Sequence, residues 1–145
     1  MTTKKKELIV TSALPYANGP LHFGHLLEHI QTDIWVRAQR ILGNHCIYLC
    51  ASDAHGTPIM MKAEEENVPP EKLVDKYMKE HKKTLEAFQV SHDCYYQTHS
   101  EENKKYSELI YNAALKNGFI SKKNIKQLFD EEKKLFLADR YVQGN

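Results

Sequence analysis

Apolar positions recur along this chain with spacings that change from one stretch to the next, and each spacing predicts a different element. Leu8-Ile9-Val10 opens a short, contiguous, β-branched run to Ala13, which predicts a strand buried on both faces. Pro15, Asn18, Gly19 and Pro20 follow as a tight loop. From Leu26 the spacing lengthens. Leu26, Ile30, Ile34, Ala38 and Ile41 mark a helix, and Gly43 fits its C-terminal cap. Cys46 to Cys50 is a second apolar strand, after which Ser52-Asp53-Ala54-His55-Gly56 turns the chain. A short helix is expected from Pro58 to Glu66. Pro70 suits the first turn of the next, whose stripe is Val74, Tyr77, Met78, His81, Leu85 and Phe88. Ser91 to Thr98 alternates poorly but fits a third strand.

Ser100 caps a further helix, with Glu101 and Glu102 complementing its dipole, Tyr106, Leu109, Ile110 and Ala113 as its apolar face, and Asn117-Gly118 as its end. Beyond Gly118 the apolar residues shrink to islands among lysines: Phe119-Ile120, Ile125, Leu128-Phe129 and Leu135-Phe136-Leu137. These predict a small β-rich excursion. Strand and helix alternate three times before it, which predicts an α/β fold, the first half of a Rossmann-like doubly wound parallel sheet. Ligands of such sheets bind beyond the carboxyl ends of the strands, where the two polar segments at 13–25 and 52–58 fall.

Composition narrows the class without naming a partner. A chain of 145 residues, 41% hydrophobic and 27% charged, suits one soluble globular domain. The net charge of +1 does not mark a nucleic-acid binder, although Lys104 to Lys126 holds six lysines against the single acid Glu108. That stretch reads either as a solvated surface or as a face for an RNA backbone. Cys46, Cys50 and Cys94 form no metal-binding spacing, and the first two read as buried free thiols. No stretch is long enough to span a membrane, and the opening residues lack a signal-peptide pattern, so a cytoplasmic location is expected.

The richest chemistry lies in Ala13-Leu14-Pro15-Tyr16-Ala17-Asn18-Gly19-Pro20-Leu21-His22-Phe23-Gly24-His25. A strand, a tight loop and a helix start there in succession. The helix N-terminus offers unpaired N–H groups and partial positive charge, which favour phosphate. His22 and His25, three apart, share one helix face and can meet one bound group.

His22-Phe23-Gly24-His25 resembles the His-x-Gly-His motif of the class I aminoacyl-tRNA synthetases, and the longer run is similar to their methionine-specific family. The likeness continues through Glu28-His29, Asp33, Val36-Arg37, Ser52–Ile59, Thr98–Asn103 and Phe136–Val142. The resemblance implies a fold class already expected, with 1–117 as the N-terminal half of a nucleotide-binding catalytic domain and 118–145 as the start of a connective insertion. It implies ATP and Mg²⁺, methionine, and tRNA(Met) as the acceptor. His22 and His25 would act on the phosphates, with Asn18, Gly19 and Gly24 completing the ATP site. Ala13, Leu14, Tyr16 and Asp53 would hold methionine, Asp53 by its α-ammonium. His55 is a further candidate for nucleotide contact, whereas His29, His81, His92 and His99 are read as structural.

The family's second motif, Lys-Met-Ser-Lys-Ser, has no counterpart, Ile120-Ser121-Lys122-Lys123 being the nearest approach. A Cys-x-x-Cys zinc knuckle is expected beyond Asn145. The chain therefore reads as an N-terminal piece, with its first strand paired on one side by Cys46–Cys50 and on the other by a strand from outside, and inactive by itself. Two rival motifs overlap the same residues. His25-Leu26-Leu27-Glu28-His29 spells the inverted zinc-peptidase pattern H-x-x-E-H, and a non-catalytic nucleotide-binding half-domain is the other alternative. Gly19 and Gly24 have P-loop spacing, but the Lys-Ser/Thr pair that would follow is missing.

Overall fold

A computed structural model describes residues 5–132 and 134–136. Its elements are β1 (Glu7–Thr11), α1 (Phe23–Ile41), β2 (His45–Ser52), α2 (Thr57–Glu65), α3 (Pro70–Ala87), β3 (Cys94–Gln97), α4 (Glu101–Lys116), β4 (Phe129–Asp130) and β5 (Leu135–Phe136). The first three strands form one parallel sheet in the order β1-β2-β3, and β4 pairs β5 antiparallel. This is the expected Rossmann-like α/β arrangement followed by a short β excursion. Leu137, the last residue of the expected apolar islands, lies outside the described residues. Among the described residues no helix is long and apolar enough to cross a membrane.

Helix ends follow their local chemistry. Ser100 Oγ accepts the Asn103 N–H at the start of α4, and Pro70 opens α3. Gly43 (φ +82°) and Gly118 (φ +74°) follow the C-caps of α1 and α4 in the left-handed region that glycine tolerates.

Both crossovers of the sheet advance in the same direction, and right-handed crossovers then place α1 and α3 on the same face. That one-sidedness corrects the expectation for β1. It is not buried on both faces: Leu8 and Val10 turn toward the helices, while Ile9 is 77% exposed. β2 repeats the pattern, with Cys46, Tyr48, Cys50 and Ser52 buried and Leu49 open. α4 has no buried residue, so its apolar face of Tyr106, Leu109 and Ile110 is exposed.

The stripe of α1 also differs from the expected one. Each i+4 step advances about 40° around a helix, so the Leu26–Ile30–Ile34–Ala38 series winds away from the sheet. Steps of three and four keep Leu26, His29, Asp33 and Val36 facing inward instead, and Ile34 and Ile41 face outward. On α3 the expected stripe holds through Val74, Tyr77, His81 and Leu85, gains Leu73, and loses Phe88 to solvent.

Asp33, the inward carboxylate of α1, is fully hydrogen-bonded. Asp33 Oδ1 accepts the Ser91 N–H at 2.8 Å and the Ser91 hydroxyl, and Asp33 Oδ2 pairs with Arg37 Nε at 2.6 Å. Arg37 also donates to the Gln89 carbonyl, so α1 holds the whole α3–β3 connection. Burial would raise the Asp33 carboxyl, but the Ser91 and Arg37 hydrogen bonds outweigh it and bring the pKa below its ordinary 3.8. A carboxyl depressed in the folded state binds its proton more readily when unfolded. Its contribution is therefore complete above that ordinary value and lost as pH falls through the folded one. Asp33→Ala, which orphans the Ser91 N–H, is expected to cost about 1–3 kcal/mol in urea denaturation at pH 7. The difference from wild type should shrink below pH 4.

Candidate active site

The site is assembled at the carboxyl ends of β1 and β2. These strands run in parallel register from Glu7–His45 to Thr11–Leu49, so both end at one edge of the sheet. Beyond the turn the pairing resumes as an isolated parallel bridge between Tyr16 and Asp53. The Ala17 N–H donates to the Asp53 carbonyl at 2.8 Å, and the Asp53 N–H to the Pro15 carbonyl at 2.8 Å. Tyr16 Oη donates to the His55 carbonyl. Gly56, with φ +118°, has no room for a Cβ beside that hydroxyl, so glycine is required there both by conformation and by space. Asp53 is held by its main chain. Its half-buried carboxylate accepts no hydrogen bond and meets no cation among the described residues, so the reading of a carboxylate bonded to nearby turn N–H groups is not realised.

A buried relay fixes the loop ahead of α1. His81, fully buried on α3, donates from Nε2 to the Gly19 carbonyl at 2.7 Å. Its Nδ1 therefore accepts, from Ser52 Oγ at 3.0 Å, and Ser52 Oγ in turn contacts Tyr95 Oη at 2.9 Å. Burial keeps the His81 pKa below its usual 6.5 and the ring neutral, against the opposing pull of the Gly19 carbonyl. At the other end of the loop, the Ala13 N–H donates to Glu28 Oε1 at 2.5 Å. His81 and Glu28 were not read as positioning groups from sequence. A histidine inside an apolar stripe, which must find partners when buried, was the available signal for the first.

His22 and His25 cap α1 reciprocally. His22 Nδ1 accepts the Gly24 N–H at 3.1 Å, and His25 Nδ1 accepts the His22 N–H at 3.2 Å, a capping box with imidazoles in place of hydroxyl and carboxylate. The rings stack with centroids 3.7 Å apart at 22°. With both Nδ1 atoms accepting, each neutral ring carries its proton on Nε2. Burial lowers the His25 pKa below 6.5, aided by His22 and His81 and opposed by Glu28. The first turn of α1 contains no acidic residue to neutralise the helix dipole. Two N–H donors and an uncompensated helix N-terminus thus stand together, an arrangement suited to an oxyanion.

The structure joins Tyr16 to Asp53, Gly19 to His81, and His22 to Gly24 and His25. Ala13 and Leu14 are exposed at the loop entrance, and Asn18 is half-buried in the loop. The zinc-peptidase reading of H-x-x-E-H loses its geometry. Glu28 is engaged by Ala13, His25 Nδ1 by His22, and His29 turns into the interior toward Ser12. Two cavities lie farther along the sheet edge, of about 300 and 590 Å³, and share His55 and His99, whose Nε2 and Nδ1 are 3.0 Å apart. Neither is lined by His22, which is exposed, or by His25, which is half-buried.

A family model described as tRNA synthetases class I (M) matches residues 8–145. Among solved structures, Mycobacterium tuberculosis methionyl-tRNA synthetase in complex with methionyl-adenylate superposes with a TM-score of 0.82 at 25% identity, covering 95% of this chain and 27% of that one. A second structure of that enzyme bound by methionyl-adenylate gives 0.80 at 23%, covering 97% and 27%. The ternary complex of Agrobacterium radiobacter K84 agnB2 LeuRS, tRNA and LeuAMS gives 0.81 at 19%, covering 98% and 18%, a likeness of fold. The chain thus spans about a quarter of the methionyl-tRNA synthetase structures it matches.

Gly24→Ala tests the histidine cap. The added Cβ would lie 2.9 Å from His22 Cε1 and 3.1 Å from Nδ1, so the ring must leave the Gly24 N–H. Loss of the cap should cost about 1 kcal/mol of stability. Nitrogen NMR of the wild type should show both rings as Nε2–H tautomers near neutral pH, with His25 titrating below 6.5, and the variant should lose that assignment for His22.

Proposed function

We propose, for a chain that belongs to the class I tRNA synthetases, that its β1–α1 junction is the phosphate side of an adenylate-forming site and that the parent enzyme is a methionine–tRNA ligase. The observation that carries this reading is the pair of stacked His22 and His25 rings, each accepting a backbone N–H at Nδ1 and so leaving Nε2 to donate, at a helix N-terminus without an acidic residue in its first turn. In adenylate formation a carboxylate oxygen bonds to the α-phosphorus and the bond to the pyrophosphate leaving group breaks. Negative charge grows on the equatorial oxygens in between. Neutral imidazole N–H groups fixed by their own caps stabilise that charge without reorganising. Gly24, Gly19 and Asn18 would border the nucleotide, the glycines by exposing backbone. Asp53, whose carboxylate has no partner among the described residues, would take the α-ammonium of methionine, and Ala13, Leu14 and Tyr16 would border the side chain.

ATP is a substrate on this reading. The described residues do not fit a protein-held Mg²⁺, because the only cluster of three or more His, Cys, Asp or Glu donors among them is of nitrogen and sulfur type. Mg²⁺ would arrive with the triphosphate. We further propose residues 1–117 as half of the catalytic domain and 118–145 as the start of the insertion, with zinc ligands beyond Asn145. The acceptor is tRNA(Met), and the setting is the cytoplasm. Methionine specificity is supported by the methionyl-adenylate complexes among the structural neighbours and by the Ala13–His25 run. Because no lysine-rich phosphate clamp is identifiable in the sequence, the chain by itself is proposed to be a nucleotide-site half-domain without adenylating activity.

Methionine-dependent pyrophosphate exchange in the parent enzyme tests the assignment. His25→Ala is expected to lower kcat by roughly 100- to 1,000-fold with little change in the KM for methionine. Asp53→Asn should instead raise the methionine KM strongly, because the ammonium loses its counter-charge. Unchanged exchange in the first variant, or unchanged methionine dependence in the second, would overturn the corresponding role.

A further inference from the structure

Behind the site, three segments of the chain bring nitrogen and sulfur donors together in the interior. His29 on α1 is 1% exposed, Cys50 on β2 is 6% exposed, and His92 in the segment before β3 is half-buried. One donor atom from each lies within 4.8 Å of the other two. His29 Nδ1 and His92 Nε2 are 3.3 Å apart. Tetrahedral zinc with Zn–N bonds of about 2.0 Å separates two nitrogen ligands by about 3.3 Å and a nitrogen from a sulfur by about 3.5 Å. Ser12 Oγ, from the end of β1, stands 3.1 Å from His29 Nδ1 and 3.6 Å from Cys50 Sγ, close to such edges.

Within the chain the Cys50 thiol makes only long contacts, at 3.6 Å with Ser12 Oγ and at 3.9, 4.0 and 3.8 Å with the Ser12, Ala13 and Ala51 carbonyls. Among the described residues His29 Nε2 is buried without a partner, and His29 Nδ1 faces both Ser12 Oγ and His92 Nε2. His92 is held by ring contacts on both sides, with centroids 4.2 Å from Tyr48 and 5.4 Å from Tyr95, and its partial exposure gives an ion access. The donor set is borderline-soft and wrong for Mg²⁺ or Ca²⁺.

We propose that His29, Cys50 and His92 form a zinc site, with Ser12 Oγ or a water in the fourth position. Binding replaces the Cys50 S–H bond with an S–Zn bond and releases one proton to solvent. The ion would tie the end of β1, α1, β2 and the approach to β3 beneath Ala13, whose carbonyl is 4.0 Å from Cys50 Sγ. It is therefore a structural clip under the amino-acid side of the candidate site. It is separate from the knuckle expected beyond Asn145, and its ligands all lie in this chain.

The test is titration of the chelator-stripped 145-residue chain with Co²⁺ and then Zn²⁺. One Co²⁺ should bind with a thiolate-to-metal charge-transfer band, Zn²⁺ should displace it with a Kd of about 1 µM or tighter, and zinc should raise the Tm. Cys50→Ser should abolish the band, and His92→Gln should weaken zinc by at least about 100-fold. Far-UV circular dichroism checks that each variant folds, and His92→Gln, at a half-exposed position, carries the test if Cys50→Ser does not. Absence of the band in the wild type, its survival in Cys50→Ser, or unchanged zinc affinity in folded His92→Gln would each overturn the proposal. The exposed His55–His99 pair cannot mimic the expected result, since it has no thiolate of its own.

Discussion

Parallel pairing of β1 with β2, continued past the turn by the Tyr16–Asp53 bridge, is the constraint on which the other features of the site depend. A parallel pair needs a crossover, and α1 supplies it, so the end of β1 feeds directly into a helix N-terminus. Two main-chain bonds of 2.8 Å then lock the loop to Asp53. The fold holds Asp53 by its backbone, and among the described residues its carboxylate has no partner. His81 and Glu28 tighten the same loop from α3 and α1, one through the Gly19 carbonyl and the other through the Ala13 N–H.

Polar residues occupy interior positions where apolar ones would pack as well, and each has a partner that an apolar residue could not serve. Asp33 organises Ser91 and Arg37; Ser52 and Tyr95 complete the relay to His81. Burial pushes the neutral form in this region: His92 is held down to about 4, chiefly by desolvation and then by His29, while burial raises the Tyr95 phenol. Directional hydrogen bonds of this kind, charged at Asp33 and neutral at His81, specify one arrangement of α1, α3 and the sheet.

Much of the fold was legible because the local rules agree with each other. Turn formers separate the first strand from its helix, Pro70 and Ser100 mark helix starts, and Gly43 and Gly118 mark ends. The motif residues were legible for the same reason, since His22, Gly24 and His25 act through one helical turn and their spacing is a local property. The tautomer was not legible. It depends on which ring nitrogen the backbone N–H groups reach.

What sequence alone determined, then, is the order of strands and helices, their caps, and the histidine pair at the start of α1. Only the tertiary structure decided which faces are buried. Apolar periodicity favoured Ile34 and Ile41 on α1, whereas packing against a sheet covered on one side chose His29, Asp33 and Val36. Only the tertiary structure joined Asp53 to Tyr16, His81 to Gly19 and His29 to Cys50 and His92, pairs separated by tens of residues. The physical reason is that periodicity records what a residue can bury against. Which partner it meets is set by strand register and crossover handedness, and neither is written in any single segment.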